Sequence, residues 1–258
     1  MRLMKRILSA AAVLALSASL LVGCSSGTAS SVPVSASSAA ESTVSSVEET
    51  ASSAVDENEA AAAQPLNDLT GSYQELWPVI LADEYKQTWL DDCTALVGEE
   101  NAEAAFEKLS SMVTSDVYGE DAVEAYANGG GAYFCGFTNS LATLTFDGET
   151  STISGTDKDG NVLFSHTYHY IGMEPVHGLY EFESDDADSG EFTYFFLAPD
   201  TSAETYHIEF RYGSDAEALS QYDAGEYAYW VASGISTDCD QTMIDNCIEL
   251  FCTENLAG

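Results

Sequence analysis

Residues 191–212 read EFTYFFLAPDTSAETYHIEFRY, and the fold turns on how they are divided. The Ala198-Pro199 step separates two stretches of strand length, because proline removes the backbone donor a continuing strand would need. In the second stretch Thr205, His207, Glu209 and Arg211 alternate with Tyr206, Ile208, Phe210 and Tyr212. Period-two alternation sends successive side chains to opposite faces, so the four polar groups share one face of a strand. That polar face is the place to look for a metal or ligand site.

Working outward, strand and turn signals recur at short, regular spacing. Residues 141–146 lead into Asp147-Gly148, then come 149–154, the turn Asp157-Lys158-Asp159-Gly160, and 162–170, 178–184 and 191–197. Each Asp-Gly supplies the positive backbone dihedrals a tight hairpin requires. The pattern predicts a meandering antiparallel sheet of six or more strands, closed as a barrel with helices at both ends. On the upstream side, Asn67 or Asp68 is placed to cap a helix through Tyr73, Leu76, Trp77 and Ile80, kinked at Pro78, followed by helices over about 84–96 and 101–112. On the downstream side, 215–222 reads as a short helix and Tyr227-Ala228-Tyr229-Trp230 as an aromatic segment. A closing helix spans 239–252, with Ile244, Cys247, Ile248 and Phe251 on one stripe. Gly129-Gly130-Gly131 before Ala132-Tyr133-Phe134-Cys135 reads as a loop feeding an apolar strand; without a Lys-Ser/Thr partner it is not a phosphate loop.

The N-terminal quarter is of another kind. Arg2, Lys5 and Arg6 precede an apolar run, 7–22, that is too short and too rich in small residues for a membrane span. Leu21-Val22-Gly23-Cys24 resembles a bacterial lipobox, which makes 1–23 a signal peptide and Cys24 the lipidated residue. Residues 24–64 are rich in Ser, Ala and acidic side chains, contain no aromatic residue, and cannot bury enough surface to offset the entropy of ordering them. They read as an acidic tether holding a domain, 65–258, at the bacterial cell envelope, lipid-anchored and facing away from the cytoplasm.

Forty-three acidic residues oppose seven basic ones, a formal net charge of −36. A surface of this sign repels nucleic acid, so no nucleic-acid partner is expected; it would attract cations, divalent metal ions among them, although an acidic composition more often reports solubility than binding, and the membrane is reached through the Cys24 anchor. Beyond Cys24 there are five cysteines, an odd number with no CxxC, which leaves the disulfide pairing open.

Zinc takes about four ligands, chiefly His, Cys and carboxylate, with two close in sequence. His207 and Glu209 meet the latter condition on one strand face, and a third or fourth donor could come from Glu204, Glu191, His169, His177 or water. Arg211 on the same face is placed to pair with Glu209 and block a cation. No Gly-x-Ser-x-Gly elbow and no HExxH occurs, and the four histidines form no recognisable triad, so the chain reads as a binding protein and not an enzyme. The acidic turns 157–160 and 185–190 lack the spacing of a calcium loop and read as solvated hairpin turns. The 14 Tyr and 11 Phe could line a cavity for an apolar ligand, or simply fill a small barrel.

Several segments together are similar to the ZinT (YodA) family of bacterial zinc-recruiting proteins: residues 66–78, the hairpin at Asp147-Gly148, Thr167-Tyr168-His169-Tyr170-Ile171-Gly172, Tyr180-Glu181-Phe182-Glu183, and Leu197-Ala198-Pro199 followed by Tyr206-His207-Ile208. The resemblance runs collinearly from Leu66 to the C-terminus. It implies a lipocalin-like (calycin) barrel with helical additions that binds zinc through three histidines near the barrel mouth and acts with a metal-uptake transporter component. His207 falls on one of those histidines. Thr205 or Glu204 stands at a second and Phe195 at the third, while His166 and Ser184 stand where the family has a cysteine pair. Together with the strand-face pairing of His207 and Glu209, this gives an expected zinc set of His207, Glu209 and Glu204. The alternative is a lipocalin-type small-ligand binder, or an interaction module, that has lost its metal site.

Overall fold

A computed structural model describes residues 66–67, 69–198 and 207–257. Residues 1–64, with Cys24, and also Asp68 and Glu204 lie outside the described residues.

Eight antiparallel strands close into a barrel in sequence order: β1 (Gly71–Glu75), β2 (Thr143–Asp147), β3 (Thr152–Thr156), β4 (Val162–Met173), β5 (Tyr180–Ser184), β6 (Tyr194–Leu197), β7 (His207–Gly213) and β8 (Ala232–Ser236). The six strands expected between 141 and 212 are all present. Closure comes from two strands the sequence reading did not assign, β1 and β8, which pair with each other through Tyr73↔Ser236 and Glu75↔Gly234. The expected helix through Tyr73 and Ile80 is corrected here. Tyr73 belongs to β1, and only Leu76–Ile80 is helical (α1). Pro78 is the third residue of α1, among the first four positions whose N–H has no partner within a helix, so it neither kinks nor breaks it.

Register fixes the two faces of the wall. Phe195 lies opposite Phe182 and Tyr212, and Leu197 opposite Phe210, so these residues share the inner face. Phe164 on β4 reaches Phe195 on β6 with ring centres 6.0 Å apart, a contact across the lumen between strands that are not neighbours. Leu144, Ile153, Phe164, Phe182, Phe195 and Phe210 are all buried, each such side chain contributing about 1.5–3 kcal/mol of apolar transfer energy. Inside the barrel the aromatic residues pack ring against ring, Phe195 meeting Phe164, Tyr168, Phe210 and Tyr212. One end is sealed by residues 133–138: Phe137 packs edge-on against Phe210 at 5.3 Å, its N–H donates to Glu75 Oε1 at 2.6 Å, and the Thr138 N–H donates to the Tyr212 hydroxyl at 2.6 Å. The expected strand over 132–135 is reduced to isolated bridges of Phe134 to Thr114 and Trp230.

The outer face is exposed or half-buried along β2–β5 and covered by helices at β7 and β8. Helices α2 (Lys86–Val97) and α3 (Glu99–Ser111) match the expectation, and α4 (Glu120–Ala127) is a helix the sequence pattern did not assign. After α5 (Ala216–Leu219), the closing helix α6 (Gln241–Leu256) starts at Asp240, whose side chain accepts the Met243 N–H at 3.0 Å. Its expected stripe of Ile244, Cys247, Ile248 and Phe251 is buried, with Phe251 edge-on to Trp77 of α1 at 4.7 Å and to Trp89 of α2 at 5.8 Å.

Candidate functional site

Every residue of β7 is buried, the polar ones included: His207 and Glu209 are 2% exposed and Arg211 0%. The alternation holds, but its polar face is turned neither to solvent nor into the lumen. His207 lies opposite Ile235, and Glu209 opposite Ser233, on the outer wall beneath α1 and α6. There the two side chains line one pocket with Leu76, Trp77, Ile80, Cys247 and Phe251. Its free volume is about 10 Å³, the room one water or one bare cation takes.

Arg211 is committed elsewhere. One terminal nitrogen donates to the Leu219 carbonyl and to Gln221 O at 3.2 Å; the other donates to Gln221 O at 3.3 Å and to Tyr227 O. The guanidinium lies 4.1 Å from the centre of the Tyr222 ring. Burial lowers its pKa, with Tyr222 acting in the opposite sense. Arg211 thus clamps residues 219–227 to the outside of the barrel, and both terminal nitrogens are directed into that segment.

The donors considered alongside His207 are dispersed. His169 is half-exposed on β4 and hydrogen-bonds Asp185 at 2.8 Å. His177 packs on Tyr222 with ring centres 3.8 Å apart, its Nδ1 3.5 Å from Glu174 Oε2. Glu191 accepts from Tyr227 and Ser214 at 3.4 Å. Among the described residues no group of three or more His, Cys, Asp or Glu side chains could hold a metal ion. The fit to zinc is therefore partial. Two donors of suitable type share an ion-sized pocket, and the third implied donor, Glu204, lies outside the described residues. Cys247 lines the same pocket, and burial pushes its thiol up to about 12.

Register also separates positions that the family resemblance groups together. Phe195 faces the lumen and His207 the outer wall, so these two side chains cannot serve one site. His166 and Ser184, at the places of the family's cysteine pair, bond instead to Asp186 at 2.7 Å and to Ser189 at 2.7 Å. The turn at Asp157 is self-satisfied: its carboxylate accepts from Asp159 N, Asn161 N and Asn161 Nδ2, which hold its pKa down. One buried group escaped the sequence reading. Glu174 is 0% exposed and accepts the N–H groups of Val176 at 2.9 Å and His177 at 2.5 Å. The only signal for it was a glutamate before Pro175, three residues from a histidine.

The fold and its helical cover define the class, a lipocalin-like (calycin) barrel: a closed eight-stranded antiparallel barrel with flanking helices. No protein-family model matches the chain, and no curated protein matches it. Among solved structures, the chain is similar to the Zn(II)-bound ZinT-like domain of Streptococcus pneumoniae AdcA, at 17% identity and a TM-score of 0.45, over 71% of this chain and 89% of that one. It is also similar to Zn(II)-bound AdcA from the same organism, at 14% identity and a TM-score of 0.43, over 72% of this chain and 35% of that one.

Proposed function

We propose that this protein is a non-enzymatic, lipid-anchored envelope component that binds or recruits a divalent metal, zinc above all, for uptake or homeostasis. The observation that carries the reading is the His207–Glu209 pair: an imidazole and a carboxylate two residues apart on one strand face, both buried, lining one pocket of ion size. The ligand set is His207, Glu209 and Glu204, which precedes His207 by three residues. The excess of acidic over basic residues favours accumulation of cations around the domain. In this reading residues 1–23 direct export, Cys24 carries the lipid, 24–64 form the tether, and the metal passes to a transporter component.

The second reading is a small-ligand binder. The observation that favours it is a cleft of about 310 Å³ between Glu75, Trp77, Leu81 and Phe134. Calorimetric titration of Zn²⁺ into the protein and its His207→Ala variant tests the metal reading. We expect a binding heat in the parent that is lost in the variant; equal heats in both, or none in either, would remove it.

A further inference from the structure

We propose that Cys93 and Cys252 form a disulfide that staples α2 to the C-terminal helix α6. The two sulfurs are 3.9 Å apart, both residues are 0% exposed, and 159 positions separate them in sequence. A disulfide requires about 2.05 Å between sulfurs, so closure asks for a combined movement of about 1.9 Å.

The interface these thiols sit in gives the bond something to oppose. Asp92, beside Cys93 on α2, faces Glu249 and Asp245 of α6 as well as its neighbour Asp91, and its pKa is raised by burial and then by those charges. The apolar contacts of Phe251 hold α6 onto α1 and α2, while this carboxylate rim pushes α6 off. A covalent link across the interface counters the repulsion. It also closes a very long loop, the case in which a cross-link removes most entropy from the unfolded chain.

The chemistry is thiol–disulfide exchange with a small-molecule or protein disulfide as oxidant. The Cys93 thiolate attacks one sulfur of the oxidant, breaking its S–S bond and releasing one thiol. The Cys252 thiolate then attacks the Cys93 sulfur of the mixed disulfide and releases the second. Two S–H bonds of the protein are replaced by one S–S bond, and the oxidant gains two electrons and two protons. Burial raises both thiols' pKa, so thiolate is scarce once α6 has docked. The bond therefore forms while α6 is still open, during folding.

The test is to refold the full chain in a mixture of oxidised and reduced glutathione, alkylate remaining thiols, digest without reductant and map the peptides by mass. The expected result is a Cys93–Cys252 linked peptide, lighter by two hydrogens than its separated halves. We also expect a thermal midpoint on the order of 10 °C above that of the dithiothreitol-reduced chain. Both residues recovered alkylated, or Cys239 linked to Cys247 with Cys93 left free, would overturn the proposal. So would a midpoint that reduction does not move. Peptide mapping is done on the parent chain, so it does not depend on a Cys252→Ser variant being able to fold.

Discussion

Arg211 of β7 and Tyr222 lie face to guanidinium, 4.1 Å apart, and His177 packs against the same ring at 3.8 Å. The stack ties the β4–β5 connection, the outer barrel wall and the segment after α5 into one buried polar unit. Replacing Arg211 by Met leaves the carbonyls of Leu219, Gln221 and Tyr227 without their donor. The expected cost is about 3 kcal/mol in denaturant unfolding. Arg211→Lys should recover only part of it, because an ammonium cannot span three carbonyls as a planar fork does. A lysine variant as stable as the parent would show that charge alone matters at this position.

His177 makes the same unit sensitive to acid. Burial lowers its pKa, with Arg211 acting in the same direction and Glu174 and Asp223 against it. The folded state therefore favours the neutral ring. The stability this confers is complete above the unfolded value of about 6.5 and is lost as pH falls through that value towards the folded one. Unfolding free energy measured from pH 8 to pH 5 should fall more steeply for the parent than for His177→Gln. Parallel curves would mean that the ring does not titrate as described.

Asp92 works in the opposite sense. Its folded-state pKa is raised, so ionisation opposes folding at neutral pH, and the penalty is relieved as pH falls through the raised value. Asp92→Asn should raise the thermal midpoint at pH 7 by about 2 °C, with the gain vanishing near pH 3. A variant less stable than the parent at pH 7 would show that Asp92 has a stabilising partner that outweighs Glu249 and Asp245.

Six strands were legible in the sequence because alternation is a local signal; of the two Asp-Gly steps, Gly160 has the expected positive φ of 80°, while in the turn after Asp147 that conformation falls on Ser151 at 54° and not on Gly148. β1 and β8 were not legible. Tyr73, Leu76, Trp77 and Ile80 mimic a helical stripe although the chain passes from strand to helix at Glu75, and ASGIS in β8 offers two serines and a glycine in place of β-branched residues. Both strands are specified by closure, since each completes the hydrogen bonding of the other. The polar face of β7 was correctly read as a face, but not as buried. Alternation gives which residues point together, while the cover supplied by α1 and α6 depends on contacts as distant in sequence as those of Trp77 and Phe251.

The metal centre proposed on β7 is tested most directly by zinc K-edge X-ray absorption of the protein loaded with one equivalent of Zn²⁺. A site at His207 and Glu209 predicts a first shell of nitrogen and oxygen at about 2.0–2.2 Å with imidazole scattering, and that scattering should be lost in His207→Ala. A first shell without imidazole scattering in the parent, or an imidazole signal that survives the His207→Ala change, would contradict it.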